Sequence, residues 1–195
     1  MPSTSAHPSA ASTVTCGACL TTSAPLAVQR CVAAVDYVYP WDRLIARFKF
    51  RSEPGWARIL ARPMLEQAQR QGLLSSPSLL VPIPVTPQRL AERGYNQAWE
   101  LTRVLRRHTG QAALAEGLVR VVDAPDQHRL SQEQRLYNLR GAFAAHPDHL
   151  TALRGARVVL IDDVRTTGTT LNSAALSLHQ AGVAEVVALV LARTP

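Results

Sequence analysis

The residues best suited to chemistry sit close together near the C-terminus, where Asp162-Asp163 is followed by Thr166-Thr167-Gly168-Thr169-Thr170. Glycine accepts a positive φ and lets backbone close on a ligand. Successive N–H groups, the threonine hydroxyls and the start of a following helix then form a cradle for an anion. A terminal phosphate fits such a turn. Two adjacent carboxylates repel phosphate but suit hydroxyls that donate hydrogen bonds, or a divalent cation. The two halves together describe a ribose 5-phosphate. A P-loop is set aside, because the G-x-x-x-x-G-K-[ST] pattern is absent and no lysine lies near.

These residues need elements to hold them. Val158 to Ile161 is a four-residue apolar run of the kind that a parallel sheet buries on both faces, and it places the acid pair at the C-terminal end of a strand, where α/β proteins bind ligands. Leu171 to Ala181 reads as the helix opened by the turn. Upstream, Leu79 to Pro84 is an apolar run bounded by prolines, a buried strand ending in a loop, and a helical stretch follows through about Arg107. Arg89 and Arg93, four apart, share a face if helical and then clamp one anionic group, although such pairs are also common on plain surfaces. Gly117 to Val122 is a candidate second strand and Val186 to Ala192 a late one. The polar stretch Ala124 to Arg140, with Gln127, Leu130, Arg135 and Asn138, reads either as a loop over an active site or as a long surface loop followed by a helix.

The 195 residues allow one compact domain with a small appendage. With 47% hydrophobic and 18% charged residues, neither a disordered chain nor a disulfide scaffold fits, and no apolar run approaches the ~18 to 20 residues of a membrane span. The net charge is +7, and of 21 basic residues only Lys49 is a lysine. Guanidinium matches phosphate oxygens, so the arginine excess suits phosphate-bearing partners; GC-rich codons explain the same bias. Seven basic residues between Arg43 and Arg70 face only Glu53 and Glu66, a local balance of +5. Helical spacing over Trp41 to Gln71, broken at Pro54-Gly55, makes this two helices. Their charge is either a solvated face or a phosphate-backbone surface with Phe48, Phe50 and Trp56 available for base stacking.

Met1 to Thr15 lacks a basic n-region and a continuous apolar h-region, so it reads as a flexible lead rather than a secretory signal, and a cytoplasmic location is expected. Cys16-Gly-Ala-Cys19 is a zinc-knuckle spacing with Cys31 as a third ligand, but Val28 stands where a second C-x-x-C would begin. His7 and Asp36 are the remaining candidates for a fourth ligand. A ribbon without metal and an oxidisable thiol pair are the competing readings.

Val158 to Thr170 resembles the 5-phosphoribosyl 1-pyrophosphate (PRPP) signature of type I phosphoribosyltransferases: four hydrophobics, two acids, then Thr-Thr-Gly-x-Thr. Three further segments resemble the ComF family within that superfamily. They are Val81-Pro82-Ile83-Pro84 with Arg89 to Gln97, then Gln127 to Phe143, and the cysteine segment ahead of Phe48-Lys49-Phe50-Arg51. The resemblance implies a parallel α/β sheet flanked by helices over residues 33–195, with a degenerate zinc-ribbon-like appendage over 16–32 behind a lead of residues 1–15. It implies that Asp162 and Asp163 hold the ribose hydroxyls and that Thr166, Thr167, Gly168, Thr169 and Thr170 hold the 5-phosphate. Arg89 and Arg93 would belong to a pyrophosphate loop, and Arg135 would meet the pyrophosphate from a closing loop. Magnesium would accompany PRPP, and Val28 puts zinc on Cys16, Cys19 and Cys31 in doubt. The family further implies a role with single-stranded DNA in natural transformation, alongside competence or recombination proteins. Phosphoribosyl transfer to a small-molecule acceptor and non-catalytic PRPP sensing are the alternatives.

Overall fold

The computed structural model describes residues 27–51, 53–121 and 142–195. Five strands form one parallel sheet. In chain order they are β1 (Arg30–Asp36), β2 (Leu79–Pro82), β3 (Ala112–Ala113), β6 (Arg157–Arg165) and β7 (Glu185–Arg193), and their spatial order is β1-β7-β6-β2-β3. A separate antiparallel pair joins β4 (Leu118–Arg120) to β5 (Phe143–Ala145).

Strand alternation sorts the core into two layers. Val159 and Ile161 of β6, with Val187, Leu189 and Leu191 of β7, face α1 (Trp41–Phe50), α2 (Ala57–Arg70) and α4 (Gln97–Thr109), where Ile45, Phe48, Leu60, Met64, Leu101 and Leu105 pack. Val158 and Leu160, with Val186, Ala188 and Val190, face the other way. There they meet α6 (Thr169–Gln180), the short α5 (Leu150–Leu153) and the β4–β5 pair through Leu171, Ala174, Leu178, Leu153 and Phe143. Residues 158–161 are fully buried because the central strand has helices on both faces.

The helices anticipated over Trp41 to Gln71 are present, separated by a 3-10 turn at Pro54–Trp56, and the late strand spans Glu185–Arg193. Two features differ from the sequence expectation. The sheet begins at Arg30, so Cys31 is a strand residue in register with Ala188, half-buried against the α6-side core. The segment near Gly117 does form a strand, but it is β4 of the antiparallel pair rather than a member of the parallel sheet.

Candidate functional site

The acid pair lies inside β6, which continues past it to Arg165. Backbone pairing with β7 continues through Val164↔Ala192 and Arg165↔Arg193, so Asp162 and Asp163 are consecutive strand residues. Asp163 therefore falls on the face of Val159 and Ile161, under α1. Its side chain is almost closed off, at 4% exposure, and the Lys49 ammonium from the last turn of α1 stands 3.0 Å from Oδ2. That ammonium is at ion-pair distance but off the line a hydrogen bond needs, so the buried Oδ2 keeps an unfilled acceptor position. Asp162 is the partly exposed member, and one of its oxygens accepts the Asp163 N–H at 2.8 Å. Burial, reinforced by the neighbouring Asp163 charge, pushes the Asp162 carboxyl up to about 8.

After Arg165 the chain turns through Thr166 and Thr167 to Gly168, whose φ of +82° is the left-handed conformation that glycine adopts freely. Gly168 caps α6 without a side chain, and the Thr169 N–H reaches only the Thr167 hydroxyl, at a long 3.4 Å. The two helices nearer β2 differ in this respect. Thr86 caps α3 (Pro87–Arg93) by accepting from Arg89 N–H, and Asn96 caps α4 by accepting from Ala98 and Trp99 N–H. The α6 terminus is thus open to an anion. The threonine hydroxyls of 167 and 169 lie 2.7 Å apart beside it, and the Arg165 side chain folds back so that Nε is 3.2 Å from the position a Cβ on Gly168 would occupy.

The loop after β2 is tied to the same central strand. Ile83 N–H bonds to Ile161 carbonyl at 2.9 Å, and the Asn96 side-chain amide donates to Ile83 carbonyl at 3.1 Å, which pins both ends of the loop to the sheet. Arg89 is exposed on α3. Arg93 is half-buried, bonds to Gln97 Oε1 at 2.5 Å and lies 5.4 Å above the Phe50 ring. Arg135, Cys16 and Cys19 lie outside the described residues, as does the polar stretch that was expected to close over the site. Among the described residues, which include Cys31 but neither Cys16 nor Cys19, no group of three or more His, Cys, Asp or Glu side chains is arranged to hold a metal ion.

Sequence reasoning missed two residues. Lys49 was legible only as one charge in a basic run, yet its being the single lysine among 21 basic residues was a signal. Arg165 lies within Val158 to Thr170 but was given no role, and it contributes the guanidinium nearest the glycine turn.

Residues 103–195 match the family described as phosphoribosyl transferase domain. The DNA utilization protein YhgH of Salmonella typhimurium is 34% identical over 192 residues, covering 97% of this chain and 80% of that protein. Competence protein F of Haemophilus influenzae is 36% identical over 160 residues, covering 80% of this chain and 69% of that protein. The chain belongs to the ComF family of type I phosphoribosyltransferase-like proteins. Another ComF relative, competence protein ComFC of Bacillus subtilis, is 33% identical over 109 residues, covering 56% of this chain and 41% of that protein. Among solved structures, the allosteric regulatory enzyme of purine biosynthesis is similar to 69% of this chain and 25% of its own, with 23% identity and a TM-score of 0.43. No helix among the described residues of this ComF protein is long and apolar enough to cross a membrane.

Around the site, the basic run of Arg43 to Arg70 is partly neutralised. Arg47 pairs with Glu53, Arg62 and Arg70 pair with Glu66, and Lys49 pairs with Asp163. Arg43, Arg51 and Arg58 are exposed and form no ion pair with a carboxylate among the described residues. Aromatic rings lie next to this charge: Arg43 is 6.0 Å from the Tyr39 ring centre and Arg47 is 5.1 Å from that of Trp56. Phe50 is 75% exposed.

Proposed function

We propose that this ComF protein binds PRPP at the β6–α6 turn and acts on single-stranded DNA during natural transformation. The observation that carries the PRPP reading is the N-terminus of α6, entered through Gly168 at φ +82° with only a long Thr167 contact on its first N–H, directly after the acid pair of β6. In this reading Thr166 to Thr170 and the helix N–H groups take the 5-phosphate. Asp162 and Asp163 accept from the ribose hydroxyls, and Arg89 and Arg93 attract the pyrophosphate. The hard carboxylate oxygens of the pair, beside an anion turn, fit magnesium arriving with the ligand. When bound, magnesium would supply charge neutralisation on the pyrophosphate.

If the site turns over, a nucleophile forms a bond to ribose C1 as the C1–O bond to pyrophosphate breaks, with the electron pair leaving on pyrophosphate. The chain offers electrostatic positioning for this step rather than a covalent nucleophile. Titration calorimetry of PRPP with and without magnesium tests the reading. Binding is expected in the wild type and lost in the Asp162→Asn, Asp163→Asn double variant; equal binding in that variant rejects it. Pyrophosphate release against a panel of bases and amines then separates a transferase from a PRPP sensor.

The names of the relatives support the competence role, and the exposed arginines beside aromatic rings supply its physical motive. Base stacking and phosphate attraction together are how single strands are held without sequence preference. Fluorescence anisotropy with a single-stranded oligonucleotide should show salt-dependent binding. Removing Arg43, Arg51 and Arg58 together should flatten the log–log salt slope by about 2, at roughly 0.7 per phosphate contact. An unchanged slope would remove this surface from the reading.

A further inference from the structure

Three consecutive residues at the end of α1 each touch a different part of the site. The Phe48 carbonyl accepts the Tyr95 hydroxyl from the loop that carries Arg93, the Lys49 ammonium sits on Asp163, and the Phe50 ring lies under the Arg93 guanidinium. Phe48 itself is fully buried and its ring lies 5.8 Å from that of Tyr95, so this turn of helix is anchored in the core. Lysine at a helix C-terminus is also favoured by the helix dipole. The loop after β2 and the acid pair on β6 thus meet through one turn of α1.

We infer that Lys49 is a positioning residue of the phosphoribosyl site: its ion pair with Asp163 fixes that carboxylate and joins the acid pair on β6 to the arginine loop 86–96. The inference rests on the PRPP reading for its ligand, but the ion pair itself is testable without one. An ammonium partner explains how a carboxylate at 4% exposure is tolerated, since a buried charge without one is costly. The pair leaves Asp162 as the more accessible carboxyl. Lys49 acts through Asp163 and not on the ligand directly, so its loss should affect recognition of the sugar more than recognition of pyrophosphate.

The first test is a double-variant cycle of Lys49→Met and Asp163→Asn in the ligand-free chain, read by urea unfolding. Lys49→Met should lower the midpoint, and adding Asp163→Asn should recover part of that loss, because the stranded charge is then gone. Additive midpoints overturn the pairing whatever the ligand proves to be. The second test is calorimetry with ribose 5-phosphate and, separately, with inorganic pyrophosphate. Lys49→Met should weaken ribose 5-phosphate at least tenfold while changing pyrophosphate less than threefold, and Lys49→Arg should restore most of the sugar-phosphate affinity. A non-additive cycle with unchanged ribose 5-phosphate affinity makes the lysine merely structural and rejects the inference. Failure of the wild type to bind either ligand rejects the PRPP reading, and with it the positioning role, while the cycle still decides the ion pair.

Discussion

Gly168→Ala separates the anion turn from its scaffold more cleanly than any charge removal. At φ +82° an alanine costs roughly 1–2 kcal/mol of backbone strain, and its Cβ would come within 3.2 Å of Arg165 Nε. Gly110, which ends α4 at φ +69°, supplies the control: a Cβ there meets nothing within 4 Å, so Gly110→Ala carries the backbone cost alone. For a chain of this size about 1 kcal/mol corresponds to roughly 2–4 °C in Tm. Both variants should therefore melt roughly 2–8 °C below the wild type. Their ligand affinities should diverge. Gly168→Ala either keeps the turn and displaces the Arg165 guanidinium, or relaxes φ and rotates the first N–H groups of α6 away. Each route removes about one charge-assisted hydrogen bond, worth roughly 1.5–3 kcal/mol, or roughly 10- to 100-fold in affinity. Thermal melts and calorimetry with ribose 5-phosphate measure the two effects side by side. If Gly168→Ala loses stability like Gly110→Ala but binds ribose 5-phosphate like the wild type, the phosphate is not held at this turn.

Asp162→Asn should change the pH dependence of stability with a definite sign. Because the folded carboxyl is raised from 3.8 to about 8, the folded chain binds a proton that the unfolded chain releases between those values. Its stabilising contribution is full at acid pH and lost as pH rises through about 8, so Asp162→Asn should melt above the wild type in alkaline buffer and show a flatter profile. If ribose hydroxyls need the ionised carboxylate, ligand binding at neutral pH should also release a proton, visible as a buffer-dependent heat in calorimetry. Asn96→Ala removes the cap of α4 and the donor to Ile83 carbonyl, so it should cost about 0.5–2 kcal/mol or more in urea unfolding and weaken pyrophosphate binding by misplacing Arg93. Arg93→Ala should lower pyrophosphate affinity and also cost stability, about 0.5–1 kcal/mol from its packing on Phe50 and about 1–3 kcal/mol from the Gln97 acceptor it leaves buried without a donor, read by calorimetry and thermal melts.

The central strand and its turn were legible because both obey local rules: a run buried on two faces, then a glycine that must take positive φ. The two helices of Trp41 to Gln71 were legible for the same reason, since apolar spacing and Pro54-Gly55 are local signals. β1 escaped because its pairing partner is β7, more than 150 residues away, and nothing local in Arg30–Asp36 announces that pairing. Cys31 was accordingly read as a third ligand of a ribbon-like segment, whereas long-range pairing makes it a residue of the sheet. The acids were found but their division of labour was not, because strand alternation sends neighbours to opposite faces and only the packing of α1 reveals which one receives the lysine.

That division has a chemical consequence. Two identical carboxyls in sequence become unlike in the fold: one is buried against an ammonium, while the other is partly exposed and pushed toward holding its proton. A ligand that presents two hydroxyls meets one acceptor already fixed by an ion pair and one that binds best after losing a proton. The carboxyl's part in holding the sugar should then grow as pH rises through the neutral range. The ratio of the ribose 5-phosphate affinities of the wild type and Asp162→Asn, measured at pH 6 and pH 8.5, reads this asymmetry directly, because the ligand's own phosphate titration cancels. A ratio that stays constant would mean that the two carboxyls act alike, and that the exposed one takes no part in holding the ribose.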